Sequence, residues 1–567
     1  MTLAVQPTPA MRQPAAEGVP SKDGMVVCTS APACDEGAAV LAKGGNAVDA
    51  AVATAFALAV TLPSAGNIGG GGFMVVRSPT GTVTTFDYRE KAPQKSTRAM
   101  YMRDGKVDPA LTSAGYLAPG VPGTVRGLAL AHRKFGRLPW KDLVMPAVKL
   151  ADEGFIVSDG LARGLNAQLG GAMGKFPASV DAYGKPGGAL WAGGDRLLLK
   201  DLGRTLRAIA IDGPDAFYTG WIADRIAEDL ASHGGLITKA DLAAYEAKER
   251  APVKGTFRGY DIVSMPPPSS GGVALIEMLN MIESFDLKAM GFNSAEARHF
   301  EIEAMRRAYL DRARHLGDPD FVQIPLAKLL SKEYARTLAG TVDPAKAGSS
   351  MELGKDIVTV APQEADETTH FSVIDRLGMA VSNTYTLEGS YGSRVVVKGA
   401  GFLLNNEMRD FNRNPGVTLP DGSIGTPANL IDPGKRMLSS MTPTIVSKGG
   451  KVVLVTGSPG GRTIINTVFL VVLAATEFGM NVRAAVDAPR MHHQWLPDTV
   501  SIERGGASEE LLLKLRAMGH TVTSRGGQGD ANSIGVDAGG TAWGASDKRS
   551  PDGKASVARL TSTSSRP

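Results

Sequence analysis

The chain has 567 residues, 43% hydrophobic, 21% charged and 6% aromatic, which fits an ordinary soluble globular protein with a large core. Lysine and arginine number 61 against 57 acids, a net charge of +4, with no basic run of five or more, which argues against nucleic acid as a partner. The most apolar stretch, 47–62, is alanine-rich, interrupted by Asp49 and closed by Pro63, so it reads as a buried helix and no membrane span is expected.

Residues 1–24 are rich in Pro, Ala and Gln and lack an apolar h-region, so a signal peptide is absent or was removed before this numbering begins, and a flexible segment is expected there. Cys28 and Cys34 are too few for a disulfide framework and lack metal-ligand spacing; one local bridge and two free thiols both remain open. Residues 30–62 read as helix, turn, helix; 69–72 open a strand pair ending at Asp87-Tyr88-Arg89; 140–350 are mainly helical, with a rigid break at 266–272 before a helix near Val273. After 368 come short strands (368–374, 379–387, 394–397, 401–404, 442–447, 451–456) and helices at about 462–478 and 507–518, and from about 549 a polar, serine-rich frayed tail. Length alone would suggest several domains, but no interior linker divides the chain, and the interleaving predicts α+β layers with strands from both halves. His492 and His493 form the one histidine cluster; adjacent residues on a strand face opposite ways, so no metal site and no cofactor are expected.

Thr368 heads the run Thr-Thr-His-Phe-Ser, preceded by a charged, strand-poor stretch at 361–367. Alternation in 369–375 and 379–386 around Arg376-Leu377-Gly378 predicts a hairpin. If its turn centres on Leu377, Thr368 lies opposite Thr386, with their Cβ atoms about 4.5–5.5 Å apart. A chain cut after Glu367 would expose an N-terminal threonine whose own α-amino group, with an unperturbed pKa of about 7.7–8.0, can serve as base for its hydroxyl. Strand 451–456 runs into Gly457-Ser458-Pro459-Gly460-Gly461 and an apolar helix, so Gly460 and Gly461 are candidate oxyanion donors. A phosphate loop is the competing reading of those glycines, but Gly461-Arg462-Thr463 lacks the phosphate-reaching lysine.

Together with Gly44-Gly45-Asn46-Ala47-Val48-Asp49, Gly69-Gly70-Gly71-Gly72-Phe73, Asp87-Tyr88-Arg89-Glu90, Pro266-Pro267-Pro268-Ser269-Ser270-Gly271-Gly272 and Asn405-Asn406-Glu407-Met408-Arg409-Asp410, these motifs make 25–548 resemble a bacterial gamma-glutamyltransferase of the N-terminal nucleophile hydrolase superfamily. The resemblance implies a four-layer αββα sandwich built from two interleaved subunits of one precursor, 25–367 and 368–567. It implies self-cleavage between Glu367 and Thr368, with Thr368 the nucleophile in both maturation and turnover and Thr386 its activating partner. It implies glutathione and other γ-glutamyl compounds as donors, amino acids or peptides as acceptors, and a periplasmic or secreted location.

The resemblance also assigns Arg89, Ser439 and Ser440 to the substrate α-carboxylate, and Glu388, Glu407 and Asp410 to its α-ammonium. The chain departs from the best-known enteric form, which has asparagine at 388 and glutamine at 407. The segment 415–435, with Asp421, resembles the family's active-site lid without its covering aromatic. A cephalosporin (glutaryl) acylase of the same fold is the alternative. A glutaryl group has no ammonium, so three acids would match it poorly.

Overall fold

In strand Gly24–Cys28 all five residues are buried, because successive side chains enter different cores: Val26 and Cys28 face one, Met25 and Val27 another. The same split recurs in Gly71–Arg77, where Met74 and Val76 oppose Val75, and in Thr444–Lys448, where Ile445 opposes Val446. A sheet covered on both faces must hide both sets, and two such sheets stacked between helices satisfy that requirement. The computed structural model describes residues 17–357, 368–417 and 426–559.

One seven-stranded sheet runs Lys554–Val557, Gly24–Cys28, Thr369–Asp375, Ala380–Thr386, Gly71–Arg77, Val83–Asp87, Lys248–Arg250. The other runs Val19–Ser21, Ala542–Ala545, Ser533–Val536, Lys451–Thr456, Thr444–Lys448, Tyr260–Ser264, Val253–Phe257. Between them lie Met25, Val27, Val75 and Ile374 from the first sheet against Val263, Ile445, Val455 and Ile534 from the second. Helices Ala31–Ala42 and Ala47–Thr61 cover the first sheet, with Trp140–Glu153 packed behind Ala47–Thr61; Gly271–Ile282 and Thr463–Thr476 cover the second, with Ala295–His315 packed behind Gly271–Ile282. The expected αββα sandwich is the observed fold, and each sheet mixes strands from both sides of residue 368.

Helix Ala47–Thr61 is buried along its whole length. Asn46 caps it, accepting from the N–H groups of Val48 and Asp49, and the Asp49 carboxylate accepts from the N–H of Asn46 in return. Alanine lets it approach both the sheet and its neighbouring helices. Among the described residues no helix is long and apolar enough to cross a membrane.

Several expectations need correction. Within the segment expected to be flexible, Val19–Ser21 forms a strand paired with Ala542–Ala545. The expected frayed tail from about 549 instead contains the edge strand Lys554–Val557, paired with Gly24–Cys28. Both are short and only part apolar, and backbone pairing rather than an apolar run holds them. The mainly helical 140–350 supplies three strands of the two large sheets, Lys248–Arg250, Val253–Phe257 and Tyr260–Ser264. Residues 394–397 and 401–404 share a single bridge, Val396 with Leu403, because Arg394 and Gly401 take positive φ. Cys28 and Cys34 form a disulfide.

Candidate active site

The hairpin sits at the centre of its sheet. Thr369 faces Tyr385 and Ile374 faces Ala380, so the register puts Thr368 one step beyond the ladder, level with Thr386. The turn is held by Asp375 Oδ1, which accepts from the N–H groups of Leu377 and Met379, and by Gly378 at φ 84°. Thr386 is buried, and its hydroxyl accepts from the Glu388 N–H at 2.8 Å. The glycine run 69–72 lies flush against this strand: a Cβ on Gly70 would stand 2.0 Å from the Thr386 carbonyl oxygen. On the other flank, the Thr369 hydroxyl is 3.3 Å from that of Thr29, which donates to Asp530.

His370, two residues along, is no base for Thr368. It is fully buried, with Nδ1 2.8 Å from the Thr384 hydroxyl and Nε2 3.1 Å from that of Ser372. Burial lowers its pKa to about 3, so the imidazole is neutral.

Strand Lys451–Thr456 ends beside the hairpin, where Ser382 donates to the Thr456 carbonyl at 2.8 Å. The chain then turns through Gly460 (φ 124°) and Gly461 (φ 51°) into helix Thr463–Thr476. The Gly460 carbonyl accepts the first helical N–H, from Thr463, at 2.9 Å. Gly460 and Thr368 line one cavity of about 680 Å³, together with Thr29, Gly529 and Asp530. Positive φ at both glycines is a backbone path that side chains resist, and it turns this strand-to-helix junction beside the hairpin.

Arg89 follows strand Val83–Asp87 and is fully buried. Its guanidinium meets Glu407, Asp410 at 2.5 Å and Glu90 at 3.6 Å, and donates to the carbonyls of Met437 and Leu438. Burial works against the charged form of Arg89, but the three carboxylates outweigh it and the side chain stays protonated. Burial also pushes Glu90 up to about 7, and it raises Glu407 well above its usual range, with Arg89 opposing and neighbouring acids adding to the rise. Acids packed around one arginine cannot all ionise, so the cluster keeps a proton. Glu388, at φ 77°, is held by Arg409 at 3.4 Å and adds its charge to the same cluster.

Ser439 and Ser440 directly follow Leu438. The Ser439 hydroxyl accepts from the Met441 N–H at 3.1 Å, and the Ser440 hydroxyl accepts from Arg312 at 3.0 Å. Both hydroxyls therefore keep a proton to donate. Thr368 and Gly460 share a cavity, and Arg89 meets Glu407 and Asp410 beside the Ser439-Ser440 turn, with two differences from expectation. Arg89 and the acids form one network rather than two separate clamps. Glu90 joins it unforeseen, although it is visible beside Arg89 in the motif; Arg312, which nothing in helix Ala295–His315 marks, bonds Ser440 next to it. Glu367, Asp421 and the lid residues 418–425 lie outside the described residues.

Among the described residues one group, His299, Glu303 and His520, brings metal-ligand atoms within 4.8 Å of one another. Glu303 there is paired with Arg306 and Arg307, which hold it at about 2 despite burial, and two guanidiniums oppose a cation. His299 is engaged on both ring nitrogens, by His520 and by the Asp343 carbonyl. The donor set does not suit a metal.

The Gamma-glutamyltranspeptidase family model matches residues 33–557. A glutathione hydrolase proenzyme of Escherichia coli (strain K12) is 48% identical over 537 residues, covering 94% of this chain and 92% of that protein. An acylase ACY 1 proenzyme of Pseudomonas sp. (strain SE83) is 36% identical over 533 residues, covering 92% and 91%. The crystal structure of a cephalosporin acylase from Bacillus halodurans superposes with a TM-score of 0.84 at 25% identity, over 99% of this chain and all of that one.

Proposed function

The chain belongs to the gamma-glutamyltranspeptidase family, and from that membership we infer an enzyme that matures by cleaving itself before Thr368 and then moves γ-glutamyl groups from glutathione and related donors to water or to an amine. In this reading the Thr368 hydroxyl attacks the γ-carbonyl carbon while its own α-amino group takes the proton. The N–H groups of Gly460 and Gly461 receive the oxyanion. The leaving amine departs with a proton, leaving an ester on Thr368. Water or the amine of an amino acid or peptide then attacks that ester and frees the threonine. Thr386 steadies the nucleophile from the facing strand, and the two products of self-cleavage stay together as a heterodimer.

The observation that carries the substrate assignment is the buried cluster of Arg89 with Glu90, Glu407 and Asp410, bordered by Ser439 and Ser440. One end of a γ-glutamyl group carries a carboxylate and an ammonium. Hydroxyls and cations suit the first, and surplus acids suit the second. The fold of a cephalosporin acylase favours a second reading, deacylation of glutaryl amides. That group lacks the ammonium and would leave the acids without a counter-charge. The Cys28–Cys34 disulfide supports a periplasmic or secreted setting.

The deciding experiment compares release from a γ-glutamyl anilide with release from a glutaryl anilide. Turnover of the γ-glutamyl compound is expected to dominate; faster glutaryl cleavage replaces this reading with the acylase one.

A further inference from the structure

Arg312 lies on the inner face of helix Ala295–His315 and is 6% exposed. Its Nε donates to the Ser270 hydroxyl at 2.8 Å and its Nη2 to the Ser440 hydroxyl at 3.0 Å. Among the described residues it makes no ion pair. Burial and the charge of Arg462 lower it to about 10, still protonated near neutral pH. Asp410 acts on it through space, but no carboxylate is bonded to it, which is unusual for a buried guanidinium because desolvating a charge is costly unless a counter-charge meets it. Arg89 presents the opposite balance, with one positive charge shared among three carboxylates. Its donors already point at protein acceptors.

We propose that Arg312 is a positioning residue of the α-carboxylate site: it holds Ser440 as a hydrogen-bond donor and adds its positive charge to that of Arg89, which Glu90, Glu407 and Asp410 share. The direction of the bond is the core of the argument. A guanidinium can only donate, so the Ser440 oxygen accepts and its proton is left for another acceptor. The Ser439 hydroxyl is set the same way by the Met441 N–H. Ser270 links the two parts, since its hydroxyl accepts from Arg312 and donates to the Ser439 carbonyl at 2.6 Å. A carboxylate seated on the two serine hydroxyls would become the missing counter-ion of Arg312. The proposal rests on the γ-glutamyl reading above and adds a residue to it.

The test uses the self-cleaved protein and two donors, a γ-glutamyl anilide and its α-methyl ester, which differ at the α-carboxyl group alone: the ester has no negative charge and carries an added methyl. Arg312→Gln is expected to raise KM for the acid about ten- to a hundredfold, the range of one lost charge-assisted hydrogen bond, with kcat within about threefold. KM for the ester is expected to stay nearly unchanged. Arg312→Lys keeps the charge and should recover part of the loss. Equal effects on acid and ester, or no effect on either, overturn the proposal. Should Arg312→Gln fail to fold and self-cleave, Arg312→Lys decides: it must raise the acid's KM more than the ester's. The underlying reading fails separately, if the unsubstituted protein turns over neither donor.

Discussion

Gly457 lies flat against the imidazole of His370: a Cβ at 457 would stand 2.3 Å from Cε1 and 2.4 Å from Nδ1 of that ring. The ring cannot retreat, because the Thr384 and Ser372 hydroxyls hold its two nitrogens. This contact locks the strand that leads to Gly460 and Gly461 onto the strand that begins at Thr369. Together with the bonds from Ser372 and Ser382 to the Val455 and Thr456 carbonyls, this packed glycine sets the 457–461 turn relative to the strand that follows Thr368.

Gly457→Ala should therefore do more than a surface substitution. Overpacking a rigid site costs about 1–3 kcal/mol. A lowered Tm together with slower turnover is expected, measured by calorimetry and anilide release. A variant as stable and as active as the parent would show that the loop is positioned some other way.

His370 gives a pH prediction. Its folded pKa, about 3, lies below its ordinary value of 6.5. Below pH 6.5 the unfolded chain binds a proton that the native imidazole refuses until about pH 3. Its contribution to stability is therefore complete above pH 6.5 and falls as pH drops, by about 1.4 kcal/mol per pH unit. Buried acids with raised pKa values act in the opposite sense, so the comparison has to be with a variant. Denaturant unfolding of His370→Gln at several pH values between 6.5 and 4.5 should show a shallower acid loss than the parent. Parallel curves would contradict a neutral buried imidazole.

Within the acid cluster the roles should separate. Asp410 bonds Arg89 yet keeps 36% of its side chain exposed, whereas Glu407 is buried and held far above its usual pKa. Asp410→Ala should raise the donor KM about ten- to a hundredfold, as expected for losing a charge-assisted bond to the ammonium. Glu407→Gln, which mimics the protonated acid, should change it less than about tenfold. Steady-state kinetics on a γ-glutamyl anilide distinguishes the two, and a reversed order would reassign the ammonium site.

Self-cleavage is read on a denaturing gel. The parent should run as two fragments, one ending at Glu367 and one beginning at Thr368, with N-terminal sequencing giving Thr-Thr-His-Phe. Thr368→Ala should remain a single chain. A cut variant, or an uncut parent, removes Thr368 from the mechanism.

The hairpin was legible before the fold, because its information is local. Alternation in 369–375 and 380–386 with a glycine turn sets a register, and the observed ladder keeps it. The strand-to-helix turn at 457–461 is local in the same sense. Strands Lys554–Val557 and Val19–Ser21 were not legible. They are short and half polar, and they exist because a neighbouring strand offers its backbone.

The sequence by itself determined the residue types of the proposed chemistry: a threonine heading a strand, two glycines before a helix, one arginine, two serines and a set of acids. Only the tertiary structure decided their electrostatics. Arg89 stands 321 residues from Asp410 in the chain, and Arg312 stands 128 from Ser440. No period or motif spans such distances. Charges interact through space at a strength set by burial, and burial is a property of the packed layers.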